Sequence, residues 1–181
     1  MNGKQQAMDA IRGFLNSTEK GILITGTHQY KKHILAMAMI DQCCQNAHVL
    51  FRINALYNIN GNSFLGCLGV NKQPKAGERI KIGKNVYEFD SFNNTGSWYK
   101  TSNSFDFAIV YPIDALARDQ NIKPIEDIVQ YKRVGKLFLC SCTDGEDTDY
   151  PAFKPFFDTH VVYDAEEEDP AYHNRVLGYD D

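Results

Sequence analysis

Apolar positions in this chain come in short runs cut by polar turns, and the runs alternate between a helical and an extended period. Met8, Ile11, Phe14 and Leu15 recur at helical spacing within residues 5–16, which predicts a one-faced helix leaning on the core. The run GILIT, residues 21–25, is short and wholly apolar apart from its end, the mark of a central strand. Gly26 then lets the chain turn sharply into a helix over residues 30–46, whose first turn is polar. From Ile34 to Ile40 every residue is apolar or alanine, so this helix must be covered on more than one side. HVLFRI, residues 48–53, has the β-branched and aromatic content of a second strand. Strand, helix and strand in so short a stretch make a βαβ unit, which requires parallel pairing and a right-handed crossover.

Residues 54–104 break this rhythm with repeated Asn, Gly and Ser between apolar residues. Within them GERIKIGKNVYEFDSF reads as two alternating strands about a Gly-Lys-Asn turn, a β-hairpin-rich insertion. The alternation then resumes with FDFAIVYPI (105–113), a short helix near 114–119, another over 125–133, and the strands KLFLCSC (136–142) and THVVYD (159–164). Residues 165–181 are acidic and polar, as in a surface tail. The expected architecture is one α/β domain, a three-layer sandwich around a mainly parallel five-stranded sheet. A length of 181 residues with 43% hydrophobic content suits a single full core.

Composition removes several classes. A net charge of −4 and a pI near 5.7 argue against a protein that coats nucleic acid through its overall field. No run approaches the length of a spanning helix, and the N-terminal stretch lacks the apolar core of a secretion signal, so a cytosolic protein with no membrane partner is expected. The five cysteines include no C-x-x-C pair, and no metal site is expected from them.

Candidate chemistry concentrates after the first strand. Gly26, Thr27, Tyr30, Lys31, Lys32 and His33 combine a glycine turn, a helix start and two lysines, the elements that collect a phosphate group. The order of elements outside residues 54–104 resembles that of P-loop NTPases, and GTHQYKKH can be set against G-x-x-x-x-G-K-[ST]. Gly26 and Lys32 match; Lys31 stands at the second glycine and His33 at the Ser/Thr. The resemblance implies a nucleotide such as ATP or GTP at this loop, with no cofactor certain. It also implies magnesium ligands at the Ser/Thr and at the end of the third strand, where this chain has His33 and Tyr111-Pro112, Asp114 following only later. A catalytically reduced member of the fold is the expectation.

Two further readings stay open. His28 or His33 with Asp114 or Asp144 could form an acid/base pair, because the loops after the first, third and fourth strands, with Ser141 and Thr143, converge on one sheet edge. The acidic loop Asp144, Glu146, Asp147 and Asp149 lacks calcium-loop spacing and reads as solvated. In the insertion, Lys72, Lys75, Arg79, Lys81 and Lys84 lie near Trp98 and Tyr99, a mixture suited to a protein partner, a second copy of the chain, or single-stranded nucleic acid. Three functions follow: a binding, regulatory or assembly module, an enzyme on a nucleotide or phosphate-bearing substrate, and a nucleic-acid module.

Overall fold

The computed structural model describes residues 2–142, 144 and 149–179. Along the chain these form α1 (Lys4–Asn16), β1 (Gly21–Thr25), α2 (Lys32–Cys43), β2 (His48–Ile53), β3 (Arg79–Ile82), β4 (Asn85–Ser91), α3 (Thr95–Trp98), β5 (Ser104–Tyr111), α4 (Asp114–Arg118), α5 (Lys123–Tyr131), β6 (Arg133–Cys140), β7 (Thr159–Val162) and α6 (Pro170–Leu177). The strands make one sheet in the order β3-β4-β2-β5-β6-β1-β7, parallel except for the antiparallel β3.

The sheet therefore has seven strands, not five. The two additional strands are the hairpin of residues 79–91, which turns at Gly83 (φ +58°) and pairs β4 in parallel register with β2, His48 opposite Val86 through Ile53 opposite Ser91. The hairpin thus continues the main sheet. Its acidic residues are buried rather than solvated: Asp90 meets Arg52 of β2, and Glu88 meets its cross-strand neighbour Arg79 and His48 of β2.

Alternation along the strands splits the core into two faces. Ile22, Ile24, Val49, Phe51, Phe107, Ile109 and Phe138 pack under α1 and α2, with Ala7, Ile11 and Phe14 meeting Leu35, Met39 and Ile40. Leu23, Leu50, Ala108, Val110, Leu137 and Leu139 face α4 and α5 through Leu116, Ile125 and Ile128. Helices on both faces of a mostly parallel sheet give the three-layer α/β sandwich. The second face also encloses Arg52, whose Nε and Nη2 donate to Asp90 at 2.8 and 2.7 Å, whose Nη1 donates to the Pro124 carbonyl at 2.7 Å, and whose Nη1 lies 2.8 Å from Asp127. Among the described residues no helix is long and apolar enough to cross a membrane.

Candidate functional site

The loop between β1 and α2 sits at the carboxyl edge of the sheet, wedged between the ends of β6 and β7. On the β7 side the backbone is zipped to the strand end: Tyr163 N–H donates to Thr25 O at 2.8 Å and His28 N–H to Tyr163 O at 3.3 Å. Gly26 makes this approach possible. Its φ is +117°, and a Cβ there would lie 2.4 Å from the Tyr163 carbonyl oxygen.

Lys32 begins α2 and turns its side chain inward. Its ammonium donates to the carbonyls of Gly26 (2.5 Å), His28 (3.1 Å) and Cys142 (2.8 Å), and Asp144 lies 3.8 Å away. All three N–H donors of the charge are thereby used. The side chain is fully buried, and desolvation pulls its pKa below the usual lysine value, opposed by the nearby carboxylates of Asp144 and Asp114. Lys31 stands at the loop surface, exposed.

The loop's own amides meet carboxylates of the same chain. Gly26 N–H donates to Asp144 at 2.8 Å, and Thr27 N–H donates to Asp164 at 2.9 Å. Asp144 also accepts hydrogen bonds from the Ser141 and Tyr150 hydroxyls. The Thr27 hydroxyl lies 2.7 Å from His173 Nδ1 and accepts the Ala165 N–H at 3.0 Å, and His28 Nε2 lies 2.9 Å from Glu168. Tyr30 is held at φ 59° and is exposed.

His33 points away from the loop into the core. Its ring stacks on Tyr111 at a centroid distance of 3.8 Å, and its Nε2 lies 3.1 Å from the Phe64 carbonyl, which fixes the proton on Nε2. Burial pushes its pKa down to about 3, a pull that the Phe64 carbonyl opposes. Asp114 accepts the Cys142 N–H at 2.7 Å and lies 3.1 Å from the Tyr150 hydroxyl oxygen, and burial raises its carboxyl above the usual range.

Of the residues expected at the site, Gly26, Thr27, Lys32, Asp114 and Asp144 converge; the hydrogen bonds of the acids come from backbone amides and hydroxyls, with the Lys32 ammonium 3.8 Å from Asp144. The histidines meet Glu168, Tyr111 and Phe64 instead of Asp114 or Asp144. Thr143, Glu146 and Asp147 lie outside the described residues. Glu168 and His173 fall in the acidic stretch that reads as a solvated tail, and Asp164 ends a run that reads only as a strand, so none of the three stands out as a partner of the loop. Asp169-Pro170 before an apolar pair and Gly178 after it could have announced a capped helix there: Asp169 accepts the Tyr172 N–H at 3.0 Å and Gly178 takes the left-handed conformation.

In the 54–104 region, Lys72 pairs with Glu78 at 2.8 Å, Arg79 with Glu88 at 2.8 Å, and Lys84 donates to the Asp41 carbonyl at 3.2 Å. Lys75 and Lys81 are exposed. Trp98 donates from its indole to Ser91 O at 2.8 Å with the Arg52 guanidinium 4.5 Å from its ring centre, whereas Tyr99 is 87% exposed. Between α3 and α5 lies a cleft of about 840 Å³, lined in part by Trp98, Tyr99, Tyr131, Lys123 and Glu126. Among the described residues no group of His, Cys, Asp and Glu could hold a metal ion.

The sheet order and flanking helices define a three-layer α/β fold around a mostly parallel seven-stranded sheet. The large terminase of a thermophilic bacteriophage, solved in complex with ADP, shares this fold with a TM-score of 0.54 at 10% identity, over 87% of this chain and 45% of that one. The chain thus spans under half the length of that terminase. No protein-family model and no curated protein matches the chain.

Proposed function

We propose that this protein is a catalytically reduced member of the P-loop-like fold that works as a binding or assembly module for a protein partner. The observation that carries this reading is the state of Lys32. A lysine that neutralises a nucleotide's phosphates must present its ammonium to them, and this one donates to three main-chain carbonyls beneath the loop surface. Two loop amides that would cradle phosphate are likewise taken, by Asp144 and Asp164.

The partner surface in this reading is the cleft of Trp98 and Tyr99. Its exposed Tyr99 and Tyr131 rings supply contact area at low entropic cost beside the half-buried Trp98. Lys123 and Lys132 are balanced there by Glu126 and Asp127, and Lys132 donates inward to Trp98 O, Thr101 and Ser102 O. That balance favours a polypeptide over a nucleic acid, whose binding calls for several unpaired cations.

The test is thermal unfolding with ATP and GTP, each with and without magnesium. A ligand bound only by the folded state stabilises it by about 2.7 kcal/mol at a hundredfold excess over Kd. The expected outcome is no shift with any of them; a saturable rise that Lys32→Ala abolishes overturns the proposal and restores an enzyme reading.

A further inference from the structure

The contacts on Thr27 and His28 come from a part of the chain attached differently from the rest. Tyr163 and Ala165 are buried, but from residue 166 to residue 179 no residue is buried, and α6 contributes none to either core face. What ties this segment to the loop is polar: Glu168 on His28, the Tyr172 hydroxyl on Gln29 at 3.0 Å, and His173 on Thr27. Asp164, at its root, accepts from the Thr27 amide at 2.9 Å and hydroxyl at 3.3 Å, and from Asn2 Nδ2 at 3.0 Å. A segment held by exposed or half-exposed hydrogen bonds and little apolar burial belongs to the least stable part of a fold, where local opening costs far less than global unfolding.

Two of its groups are carboxylates placed against loop donors. Asp164 occupies the Thr27 amide, and Glu168 covers the His28 ring with its side chain 44% exposed. An external polyanion approaching this loop meets those charges before it meets a donor. Behind them stand the groups that opening would free: the Thr27 amide and hydroxyl, the His28 imidazole and, beside them, the exposed Lys31.

We infer that residues 164–173 are an intramolecular latch whose carboxylates stand in for an external anion, and that releasing it opens the Thr27, His28 and Lys31 surface to a polyphosphate group. The inference rests on the reading above, that the closed loop takes no nucleotide, and adds what keeps it closed. A site competent only in a minor open state shows an affinity reduced by that state's population, so removing the latch restores affinity without any new contact.

The experiment measures pyrophosphate binding calorimetrically to the full chain and to the full-length triple variant Asp164→Ala/Glu168→Ala/His173→Ala. Hydrogen exchange of the wild-type protein is followed in parallel. The latch predicts no measurable heat with the wild type, a gain of about tenfold or more in the variant, and amides of 166–179 that exchange well before those of β1 and β6. Binding to neither protein overturns the latch and leaves the proposed function standing. Binding to the wild type overturns both. Exchange in 166–179 as slow as in β1 overturns the latch even if the variant fails to fold.

Discussion

The imidazole of His33 stacks on the phenol ring of Tyr111 with centroids 3.8 Å apart and planes 26° apart. These are two of the positions at which resemblance to P-loop NTPases implies magnesium ligands. Here they hold two rings packed on each other, with Phe64 edge-on to Tyr111 at 5.4 Å. A hydrated cation needs oxygen ligands and room for its waters, and an aromatic stack supplies neither. At these two positions the chain carries packed core.

A pH dependence follows from this burial. His33 has a folded pKa near 3, below an unfolded value of about 6.5, so the unfolded chain binds the extra proton first. The stability due to neutral His33 is complete above pH 6.5 and is lost as pH falls toward 3, at up to about 1.4 kcal/mol per pH unit. His33→Phe keeps a ring against Tyr111 and removes the titration. Urea unfolding at pH 7, 6, 5 and 4 should show the wild type losing ground relative to the variant at about that slope; a constant difference would contradict the assignment.

Lys32 and Lys31 are adjacent and should behave oppositely. Lys32→Met leaves the carbonyls of Gly26, His28 and Cys142 without their donor and Asp144 without its nearest cation, a loss of about 3–5 kcal/mol for a broken buried pair. Exposed Lys31→Met should stay within about 0.5 kcal/mol. Chemical denaturation checks both, and equal effects would place Lys32 outside the buried network.

Much of the fold could be read along the chain, and the reason is periodicity. β1 and β2 have the bounds that their runs marked, residues 21–25 and 48–53, because short, β-branched and aromatic runs of that length between turn residues suit a strand buried on both faces. The hairpin's turn was also legible, but its place in the sheet was not. Asp90 looks solvated until Arg52 arrives from β2, Asn85 until the Ala47 amide does, and Glu88 until His48 and Ser102 close on it beside its cross-strand neighbour Arg79. The same limit hid the loop's partners: Thr27 with Asp164 and His28 with Glu168 are tertiary pairs separated by 137 and 140 residues, and no local pattern announces such a pair. Helix spacing reported that α2 is covered; it could not report that its first lysine points inward.

Two glycines separate conformational need from plain cost. Gly26→Ala must give up φ +117° or push its Cβ into the Tyr163 carbonyl, 2.4 Å away, and should cost about 2–4 kcal/mol through a strained backbone and a steric clash. Gly13 lies on the exposed side of α1, where a Cβ would meet nothing within 4 Å, so Gly13→Ala should stabilise by about 0.5–1 kcal/mol. Thermal unfolding of both variants tests the pair, and a Gly26→Ala protein as stable as the wild type would mean that the loop can repack away from β7.

Trp98 is the single tryptophan, so tryptophan emission, excited selectively over the tyrosines, reports on the proposed partner cleft. Its ring is held from one side by the Arg52 guanidinium, 4.5 Å from the ring centre, and by the indole bond to Ser91 O. Arg52→Lys keeps the charge but loses the planar fork that serves Asp90 and Pro124 and the flat face that stacks on the indole. The expected result is a loss of about 2–4 kcal/mol in unfolding free energy, for a buried pair made worse rather than removed, with a red shift of the native emission. Tyr99, exposed beside it, should behave the other way: Tyr99→Ala leaves stability within about 0.5 kcal/mol and the native emission in place. A partner peptide that shifts Trp98 emission in the wild type but not in Tyr99→Ala would locate binding in the cleft, whereas an equal shift in both would move the contact surface elsewhere.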